Sequence, residues 1–461
     1  MDQALFTAGE LQEATGGCWQ NMPPESLQWQ INTDSRTLQG AQCFIPLIGE
    51  RFDGHDFLDQ LPENTIALAQ LGRKIPAHLP VLQVSDTLKA YQDIARYHRL
   101  RMKNLQIAAV TGSIGKTSVK EMLRAIFTEA AGADAVLYTI GNTNNQIGVP
   151  QNLLRLNRNI RYAVIEMGTN HHGEIAPLSR TALPDAAVIN TIAPCHLEHL
   201  GDLDGVAREK SAVFTKLAPD GTAVYPAECA GNAIIKKAAA AFRNLTFGSS
   251  PDAAVSGKYI SGSLNGSRVR LHFRQLDISK EFDWELTGTH QAANAAAAAA
   301  AALALQIDPE VIARGLSKTT LPGKRMNSVQ YGSCTWINDA YNANPQSMQS
   351  SLNCIADNTP YEKPLLLILG DMLELGSDET AYHRQVLEQL QSRFKKHKYR
   401  LFLLGKRFAE ALQSYPDLPE NWQTFDDMEQ LQTALKNVSL DNLTVFLKSS
   451  NSIGLSKVEP C

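Results

Sequence analysis

The chain has 461 residues, 44% of them hydrophobic and 20% charged, which is ordinary for globular proteins and enough for about three domains. A formal net charge of −4 gives no general reason to expect nucleic acid as a partner, so anionic ligands must be met by local positive charge. No apolar run could span a bilayer, and the first residues lack the pattern of a signal peptide, so we expect no membrane insertion. Seven scattered cysteines without a C-x-x-C pair favour reduced thiols in a cytoplasm over a disulfide framework or a zinc site.

Residues 1–84 mix short strand-like runs with turn signals. Two polar stretches lie beside these runs, at 32–36 and 44–57. The first stretch contains Thr33, Asp34, Ser35 and Arg36. By local chemistry alone, both stretches could be ordinary turns. The amphipathic spacing of residues 87–100 then predicts a linking helix.

A glycine-rich turn at 111–117 is the strongest signal in the chain. Its sequence, Thr-Gly-Ser-Ile-Gly-Lys-Thr, lies between an apolar strand at 105–110 and a helical pattern at 119–127. Glycines let backbone N–H groups point inward, and the following helix offers its positive end, which suits phosphate. Lys116 can then reach the terminal phosphates, and the Thr117 hydroxyl can bind Mg²⁺. The turn therefore predicts nucleoside triphosphate binding, and a plain strand-to-helix turn with a solvated lysine is the alternative.

From residue 105 to about 315, strand-like runs alternate with helical stretches, which favours a mainly parallel sheet covered by helices. The later strands of this region are predicted at 162–167, 186–190 and 222–225. Residues 255–287 are interpreted as a small antiparallel insert with Gly/Asn turns. The Ala-rich run 292–305 predicts a helix that can pack closely on a sheet.

From Leu321 the alternation restarts, which predicts a second, smaller α/β domain. The predicted strands lie at 334–338, 365–369, 400–404 and 443–448. The predicted helices lie at 345–356, 380–396 and 407–413.

Ligands of such folds collect at the carboxyl ends of the strands, where this chain places several polar residues. Glu166 ends one strand and is the natural carboxylate for Mg²⁺ beside the glycine-rich turn. His196 follows another strand and could equally be a structural histidine. Its neighbour Cys195 lacks a third, orienting group, which argues against a Cys–His nucleophile. Lys210, on a helix predicted at 206–217, would by itself be an ordinary surface lysine.

With these pieces in this order, the chain resembles the Mur ligase family of ATP-dependent amide-bond-forming ligases over essentially its whole length. The resemblance rests on T-G-x-x-G-K-T at 111–117, Glu-Met-Gly at 166–168, the His196 loop, Lys210 and Asn294. A finer likeness within the family rests on the segments 141–150, 338–345 and 369–376. The resemblance implies a small N-terminal α/β substrate domain at 1–84, a central P-loop-type domain with a mainly parallel sheet and helices at 85–317, and a C-terminal Rossmann-like α/β domain at 318–461.

Carried over by position, the resemblance implies a role for each matching residue. The implied catalytic residues are Lys116, His196 and Lys210. The implied ATP contacts are Thr111, Gly112, Ser113, Ile114, Gly115, Lys116, Thr117, Ser118, Asn294, Arg325 and Asp339. The implied metal ligands are Thr117, Glu166, His196 and a carbamylated Lys210. The implied substrate contacts are Thr33, Asp34, Ser35 and Arg36 at the UDP end, Asn144, Asn145 and His171 in the muramoyl peptide channel, and Asn342 and Asn344.

Asp339 has an open alternative, because it follows a strand in an Asn-rich loop closed by Pro345. A residue that meets nucleotide only on domain closure should leave stability unaffected when it is replaced. An Asx-type turn that caps the helix near Pro345 would instead contribute about 1 kcal/mol of stability and nothing to turnover.

The implied reaction joins D-alanyl-D-alanine to UDP-N-acetylmuramoyl-tripeptide through an acyl phosphate, with ATP and Mg²⁺, in a cytoplasmic monomer that serves peptidoglycan precursor synthesis. Two departures from the family pattern stand out. Lys324 precedes Arg325 and could take its role, and residues 448–451 are Lys-Ser-Ser-Asn where Lys-Gly-Ser-Arg is expected in the C-terminal peptide-binding loop.

Two kinds of alternative remain for the function as a whole. One is another ligase of the same fold, which adds a single amino acid or is a folylpolyglutamate synthase; the segment 338–345 argues against it. The other is a P-loop binding protein without ligase activity, which would leave Glu166, His196 and Lys210 unaccounted for.

Overall fold

The structure is a computed structural model that describes residues 4–323, 325–415 and 419–460. These residues form three β-sheets with helices packed on them, each built from one continuous part of the chain. The predicted α/β class and the organisation in three domains are therefore confirmed. The boundaries placed after residues 84 and 317 stay predictions.

The N-terminal domain is a small, mostly parallel sheet. Its strands are Leu5–Phe6 (β1), Cys18–Gln20 (β2), Trp29–Asn32 (β3), Gln42–Phe44 (β4), Ile66–Gln70 (β5) and Val81–Val84 (β6), and its helix is Ala8–Thr15 (α1). The strand order is β1-β3-β4-β5-β6-β2, with only the two edge strands antiparallel. Because parallel strands end at the same edge, the polar stretches that follow β3 and β4 lie side by side.

Helix α2, Thr87–Leu100, links this domain to the next and has the bounds predicted from the sequence. Asp86 caps it by accepting a hydrogen bond from the Lys89 N–H at 2.9 Å. Tyr91 and Ile94 pack into the N-terminal core, whereas Ala95 packs into the central core. The helix therefore joins the two domains through a shared apolar surface.

The central domain is a nine-stranded sheet with helices on it. Its strands are Gln106–Thr111 (β7), Val136–Tyr138 (β8), Tyr162–Glu166 (β9), Ala186–Ile189 (β10), Thr222–Pro226 (β11), Arg243–Gly248 (β12), Val255–Ser263 (β13), Gly266–Phe273 (β14) and Ile278–Trp284 (β15). Its helices are Lys116–Ala131 (α3), Gly148–Leu153 (α4), Ile175–Ala182 (α5), Leu197–Leu200 (α6), Leu203–Ser211 (α7), Asn232–Ala239 (α8), Thr289–Ala304 (α9) and Pro309–Ser317 (α10). The order is β15-β14-β13-β12-β11-β10-β7-β9-β8, and β7 lies between β10 and β9.

The segment 255–287 forms antiparallel strands, as the sequence predicted, and these strands extend the central sheet. Strand β13 pairs in parallel with β12 at Phe247 and Gly248, and β14 and β15 extend the same sheet in antiparallel fashion. The alanines of α9 then pack on the extended sheet. A Cβ at Gly257 would lie 2.2 Å from the carbonyl oxygen of Ala292, so the helix approaches as closely as the small residues allow.

The C-terminal domain is a six-stranded, Rossmann-like sheet with helices on it. Its strands are Asn327–Tyr331 (β16), Cys334–Asn338 (β17), Leu365–Gly370 (β18), Tyr399–Leu404 (β19), Trp422–Phe425 (β20) and Thr444–Lys448 (β21), and its helices are Pro345–Asn358 (α11), Glu379–Arg393 (α12), Lys406–Leu412 (α13) and Met428–Leu435 (α14). The order is β16-β17-β21-β18-β19-β20, with only β16 antiparallel. The loops after β17, β21 and β18 are therefore neighbours at one edge.

The central and C-terminal domains are in direct contact. Leu264, at the tip of the β13–β14 hairpin, packs against the apolar core of the C-terminal domain. The hydroxyl of Thr287 lies 3.8 Å from the Cys354 sulfur on α11. Separately, none of the helices in the described ranges has the length and apolar character that crossing a membrane requires.

Candidate nucleotide and substrate site

The glycine-rich turn joins β7 to α3, as the sequence predicted. Thr111 ends the strand, and Gly112 and Gly115 adopt φ angles of +146° and +77°, which side chains rarely tolerate. Helix α3 begins at Lys116, so its unpaired N–H groups and positive end face the turn. The Lys116 ammonium donates a hydrogen bond to the Gly112 carbonyl at 2.7 Å, which holds its side chain over the turn.

Two asparagines from other elements support the turn. Asn190, just after β10, donates through Nδ2 to the carbonyl of Ile114 at 2.9 Å and to Asn294 Oδ1 at 2.8 Å. A Cβ at Gly115 would lie 2.2 Å from Asn190 Nδ2 and 2.6 Å from Asn294 Oδ1, so only glycine fits. Asn294, assigned to ATP by resemblance, thus lies against the phosphate turn. The position of Asn190 at the end of a predicted strand indicated a residue near the ligand, but its bonds to Ile114 and Asn294 come from the fold.

Glu166 and Thr117 meet beside the turn. The Thr117 hydroxyl donates to Glu166 Oε2 at 3.1 Å, and Asn144 Nδ2 donates to Oε1 at 3.0 Å. Glu166 is only 2% exposed, and no lysine or arginine of the described ranges forms an ion pair with it. A buried carboxylate without a cation is costly, and carboxylate and hydroxyl oxygens are the ligands that Mg²⁺ prefers. These two residues therefore fit a magnesium ion.

Two of the four predicted metal ligands, Thr117 and Glu166, are in direct contact. The described residues hold no group of three or more His, Cys, Asp and Glu side chains arranged for a metal, but the predicted set contains only two residues of these types, Glu166 and His196. His196 lines the same cleft as Glu166, but its Nδ1 contacts Glu374 at 2.6 Å. The structure thus brings Thr117 and Glu166 together and places His196 in the lining of the same cleft, in contact with Glu374 of the C-terminal domain.

Lys210 is wholly buried, so its interpretation as an ordinary surface lysine is wrong. In the described part of the chain, no carboxylate forms an ion pair with its ammonium group, although the charges of Cys195 and Glu209 act on it. Burial is the main cause that lowers the pKa of Lys210, to about 8, and the nearby charge of Lys116 lowers it further. A buried amine without an ion pair is unusual for a purely structural lysine.

A cleft of about 720 Å³ lies between the central and C-terminal domains. The predicted site residues that line it are Ser113, Ile114, Gly115, Lys116, Thr117, Ser118, Asn144, Asn145, Glu166, His171, His196, Asn294, Arg325, Asp339, Asn342 and Asn344. Thr111, Gly112 and Lys210 lie behind this surface. Most of the residues assigned to ATP, metal and the peptide channel therefore share one cavity.

Arg325 connects the phosphate turn to the C-terminal domain. Its guanidinium donates to the Thr117 hydroxyl at 3.2 Å and lies 3.6 Å from the centre of the Tyr341 ring. The Tyr341 hydroxyl also hydrogen-bonds to Asn142 Oδ1 of the central domain. The proposal that Lys324 competes with Arg325 falls outside the described residues.

Asp339 is buried, and the alternative that it caps α11 is wrong. Asn344 is the cap, accepting the Ser347 N–H at 2.9 Å. Asp339 instead accepts hydrogen bonds from the Ser351 hydroxyl at 2.6 Å and the Met326 N–H at 3.0 Å, and pairs with the Lys448 ammonium at 2.6 Å. Because Asp339 balances the buried charge of Lys448, we now expect that replacing it lowers stability, in contrast to the expectation from the sequence.

The segment 448–451, whose sequence differs from the family pattern, follows β21 and lies at the edge of the C-terminal sheet that carries the loops after β17 and β18. The Ser450 hydroxyl accepts the Leu373 N–H at 3.0 Å and donates to the Ala343 carbonyl at 3.3 Å, which ties the loops after β21, β18 and β17 together. Asn451 lines the cleft. The segment is therefore well placed to contact a ligand despite its altered sequence.

The residues assigned to the UDP end lie elsewhere. Asp34 caps a short 3₁₀ turn at 35–37, and the Arg36 side chain, bonded to Asp34 at 2.8 Å, lowers the pKa of Asp34 to about 2. A second cavity, of about 380 Å³, lies between the N-terminal and central domains. Asn32 and Thr37, which flank the segment, line this cavity together with Arg155. Thr33, Asp34, Ser35 and Arg36 themselves are in the lining of neither of these two cavities.

The geometry defines a class of protein. A phosphate-binding turn at the end of a parallel strand faces a second α/β domain across one cleft, which is the arrangement of a nucleotide-dependent enzyme with domains that close on their substrates.

Known proteins of one family are similar to this chain over most of its length. The Mur ligase middle domain matches residues 110–302, and the Mur ligase, glutamate ligase domain matches residues 324–451. Two relatives are each 34% identical to this chain. They are the UDP-N-acetylmuramoyl-tripeptide–D-alanyl-D-alanine ligases of Bacillus subtilis (strain 168), matched over 432 residues, and of Escherichia coli (strain K12), matched over 433 residues. In both cases the match covers 93% of this chain and 92% of the relative. The solved structure of MurF from Acinetobacter baumannii is similar to this chain with a TM-score of 0.89 and 30% sequence identity. The match covers 99% of this chain and 98% of the MurF chain.

The chain belongs to the Mur ligase family. The resemblance drawn from the sequence is thereby confirmed.

Proposed function

We propose that the chain is an ATP-dependent ligase that joins D-alanyl-D-alanine to UDP-N-acetylmuramoyl-tripeptide in peptidoglycan precursor synthesis. The observation that carries this proposal is the single cleft in which Lys116 and the Thr117–Glu166 pair face the C-terminal domain. Relatives at 34% identity over nearly the whole chain have this activity in their names. That likeness favours this reaction over a ligase that adds one amino acid and over a P-loop protein without ligase activity.

The residues of the glycine-rich turn at 111–117 act in the first step. Lys116 and the N–H groups at the start of α3 bind and orient the triphosphate, and they offset its charge while the terminal peptide carboxylate attacks the γ-phosphorus. The bond from the γ-phosphorus to ADP breaks as the new P–O bond forms. The products of this step are ADP and an acyl phosphate.

The second step forms the amide bond. The free amine of D-alanyl-D-alanine attacks the acyl carbon, inorganic phosphate leaves, and the nitrogen releases a proton. The C-terminal residues Asn342, Asn344 and Asn451 line the cleft and are proposed to orient this amine substrate. Closure of the two domains excludes water, which would otherwise hydrolyse the acyl phosphate.

Thr117 and Glu166 are proposed to hold Mg²⁺, because their oxygens meet beside the phosphate turn and Glu166 lacks a cation in the described ranges. When bound, the ion supplies positive charge to the phosphates. Arg325, stacked on Tyr341 and bonded to Thr117, is proposed to contact the same phosphates from the C-terminal side.

Lys210 is proposed to carry a carbamate. Its neutral amine attacks the carbon of CO₂, an N–C bond forms and a proton is released, which turns an ammonium into a carboxylate-like anion. Burial without an ion pair in the described structure supports this assignment, because an anion there would attract the nearby charge of Lys116, whereas a second ammonium repels it. A cytoplasmic monomer completes the proposal, and free thiols at the described cysteines agree with that compartment.

The reaction itself is tested by ADP release. The purified chain is expected to release ADP only when the tripeptide nucleotide and D-alanyl-D-alanine are both present, with one ADP for each amide formed. Single amino acids replace the dipeptide in the control reaction. Equal ADP release with glutamate or with no acceptor would contradict the proposed function.

The Lys210 assignment is tested by chemical rescue. Lys210→Ala is expected to lose most ligation and to regain part of it with added short-chain carboxylic acids, whose carboxylate enters the vacated space. Lys210→Arg cannot form a carbamate, and it should be as inactive as Lys210→Ala and insensitive to the acids.

Lys210→Met is the matched control, because it fills the same volume and should fold normally without being rescued. Full activity of Lys210→Met, or equal rescue of all three variants, would contradict the carbamate. The ligation rate and the melting temperature of each variant are measured together.

A further inference from the structure

His196 occupies a special position at the mouth of the nucleotide cleft. It follows β10, takes a left-handed backbone conformation with φ of +52°, and starts the short helix α6. A left-handed conformation at a histidine is costly and is retained where the surrounding structure requires it. The side chain is 20% exposed and lines the cleft, so it can reach a ligand there.

Glu374 reaches this histidine from the other domain. It lies in the loop after β18 and is also left-handed, with φ of +64°. Its Oε2 is 2.6 Å from His196 Nδ1, and its backbone carbonyl accepts the Leu197 N–H at 3.2 Å. Two bonds from one residue thus join the C-terminal domain to the start of α6. The segment 369–376, which marks the finer family likeness, has no role in the ligation described above.

The contact decides which nitrogen of the imidazole carries hydrogen. A carboxylate has only acceptor oxygens, so in the 2.6 Å contact between Glu374 Oε2 and His196 Nδ1 the hydrogen comes from the imidazole. Nδ1 must therefore carry the hydrogen, and Nε2 keeps its lone pair. A carboxylate that accepts a hydrogen bond from one ring nitrogen of a histidine fixes the tautomer and the ring orientation, as it does at metal-binding histidines.

We propose that Glu374 is a positioning residue for ligation. It belongs to the C-terminal domain and holds the His196 ring so that the unprotonated Nε2 can bind a ligand in the cleft. The inference rests on the proposed ligase function for its kinetic part only. In this proposal, the position of the C-terminal domain determines which nitrogen of His196, in the central domain, carries hydrogen.

The kinetic test compares Glu374→Ala with Glu374→Gln. The alanine variant loses the acceptor, and we expect its kcat to fall by about 10- to 100-fold, the usual cost of removing such a supporting carboxylate. KM for ATP should change little, because Glu374 lies outside the nucleotide cleft lining. The glutamine variant keeps a carbonyl oxygen for Nδ1–H and should retain most of the wild-type rate.

Nitrogen NMR gives a readout that does not depend on activity. The protein is labelled with ¹⁵N-histidine and observed at about pH 8, where an ordinary imidazole is neutral, and His196 is assigned by its loss in His196→Gln. Wild type and Glu374→Gln are expected to show hydrogen on Nδ1. Glu374→Ala is expected to show hydrogen largely on Nε2. If the ligation proposal is wrong, no variant ligates, but this spectral difference remains.

Glu198→Ala is the matched control, because Glu198 is an exposed carboxylate on α6 beside the same contact, near Gly376. Its rate and its His196 spectrum should match those of wild type. An unchanged His196 tautomer in Glu374→Ala would overturn the proposal. So would a loss of rate in Glu198→Ala equal to that in Glu374→Ala, since it would show a general effect of charge at the interface.

Discussion

Lys116→Ala is expected to lower the ligation rate by at least about 10³-fold, because the lost ammonium offsets charge on the phosphoryl group during its transfer. The fold should remain intact. The side chain covers the phosphate turn and donates to the Gly112 carbonyl, but it lies outside the apolar cores of the described residues. The melting temperature is therefore expected to stay within a few degrees of wild type.

The measurement is ATP turnover with both substrates, together with thermal unfolding of the same preparation. Lys216→Ala is the control, since it removes an exposed lysine of the same domain and should alter neither quantity. A Lys116→Ala variant with nearly normal turnover would remove the phosphate-binding role of the turn. A large fall in melting temperature would instead show that Lys116 holds the domain together.

Asp339→Ala is expected to destabilise the C-terminal domain by about 3–5 kcal/mol, the usual cost of leaving one charge of a buried pair without its partner. Lys448, only 3% exposed, would keep its ammonium group and lose its carboxylate at 2.6 Å. Ser351 would also lose a hydrogen-bond acceptor. Urea unfolding followed by circular dichroism measures this change.

A double variant separates stability from turnover. Combining Asp339→Ala with Lys448→Met removes both charges, and we expect it to recover most of the lost stability. If Asp339 meets the nucleotide on closure, ligation by the double variant stays low. Asp357→Ala, which breaks the surface pair with Arg393, is the control and should cost less than about 1 kcal/mol. Normal ligation by the double variant would mean that Asp339 acts only as the counter-ion of Lys448.

Some of this molecule could be predicted because its causes are local. The strand–glycine-turn–helix at 105–127, the linking helix at Thr87–Leu100 and the strand at Cys334–Asn338 follow from periodicity and from residue types next to one another in the chain. The resemblance to the Mur ligases rested on motifs of the same local kind. Strands β8 and β12 were not predicted, because β8 is only three residues long and β12 has a single fully buried residue, so neither has a long apolar pattern.

The sequence by itself thus determined the three α/β domains, the phosphate turn and the family. Only the tertiary structure decided how distant charges meet. Asp339 finds Lys448 across 109 positions, His196 finds Glu374 across 178, and Lys210 is buried beside the phosphate turn with no counter-ion in the described structure. These contacts depend on strand order, because β21 lies between β17 and β18 and brings their loops to one edge. Strand order is set by packing between remote segments, and no local pattern along the chain records it.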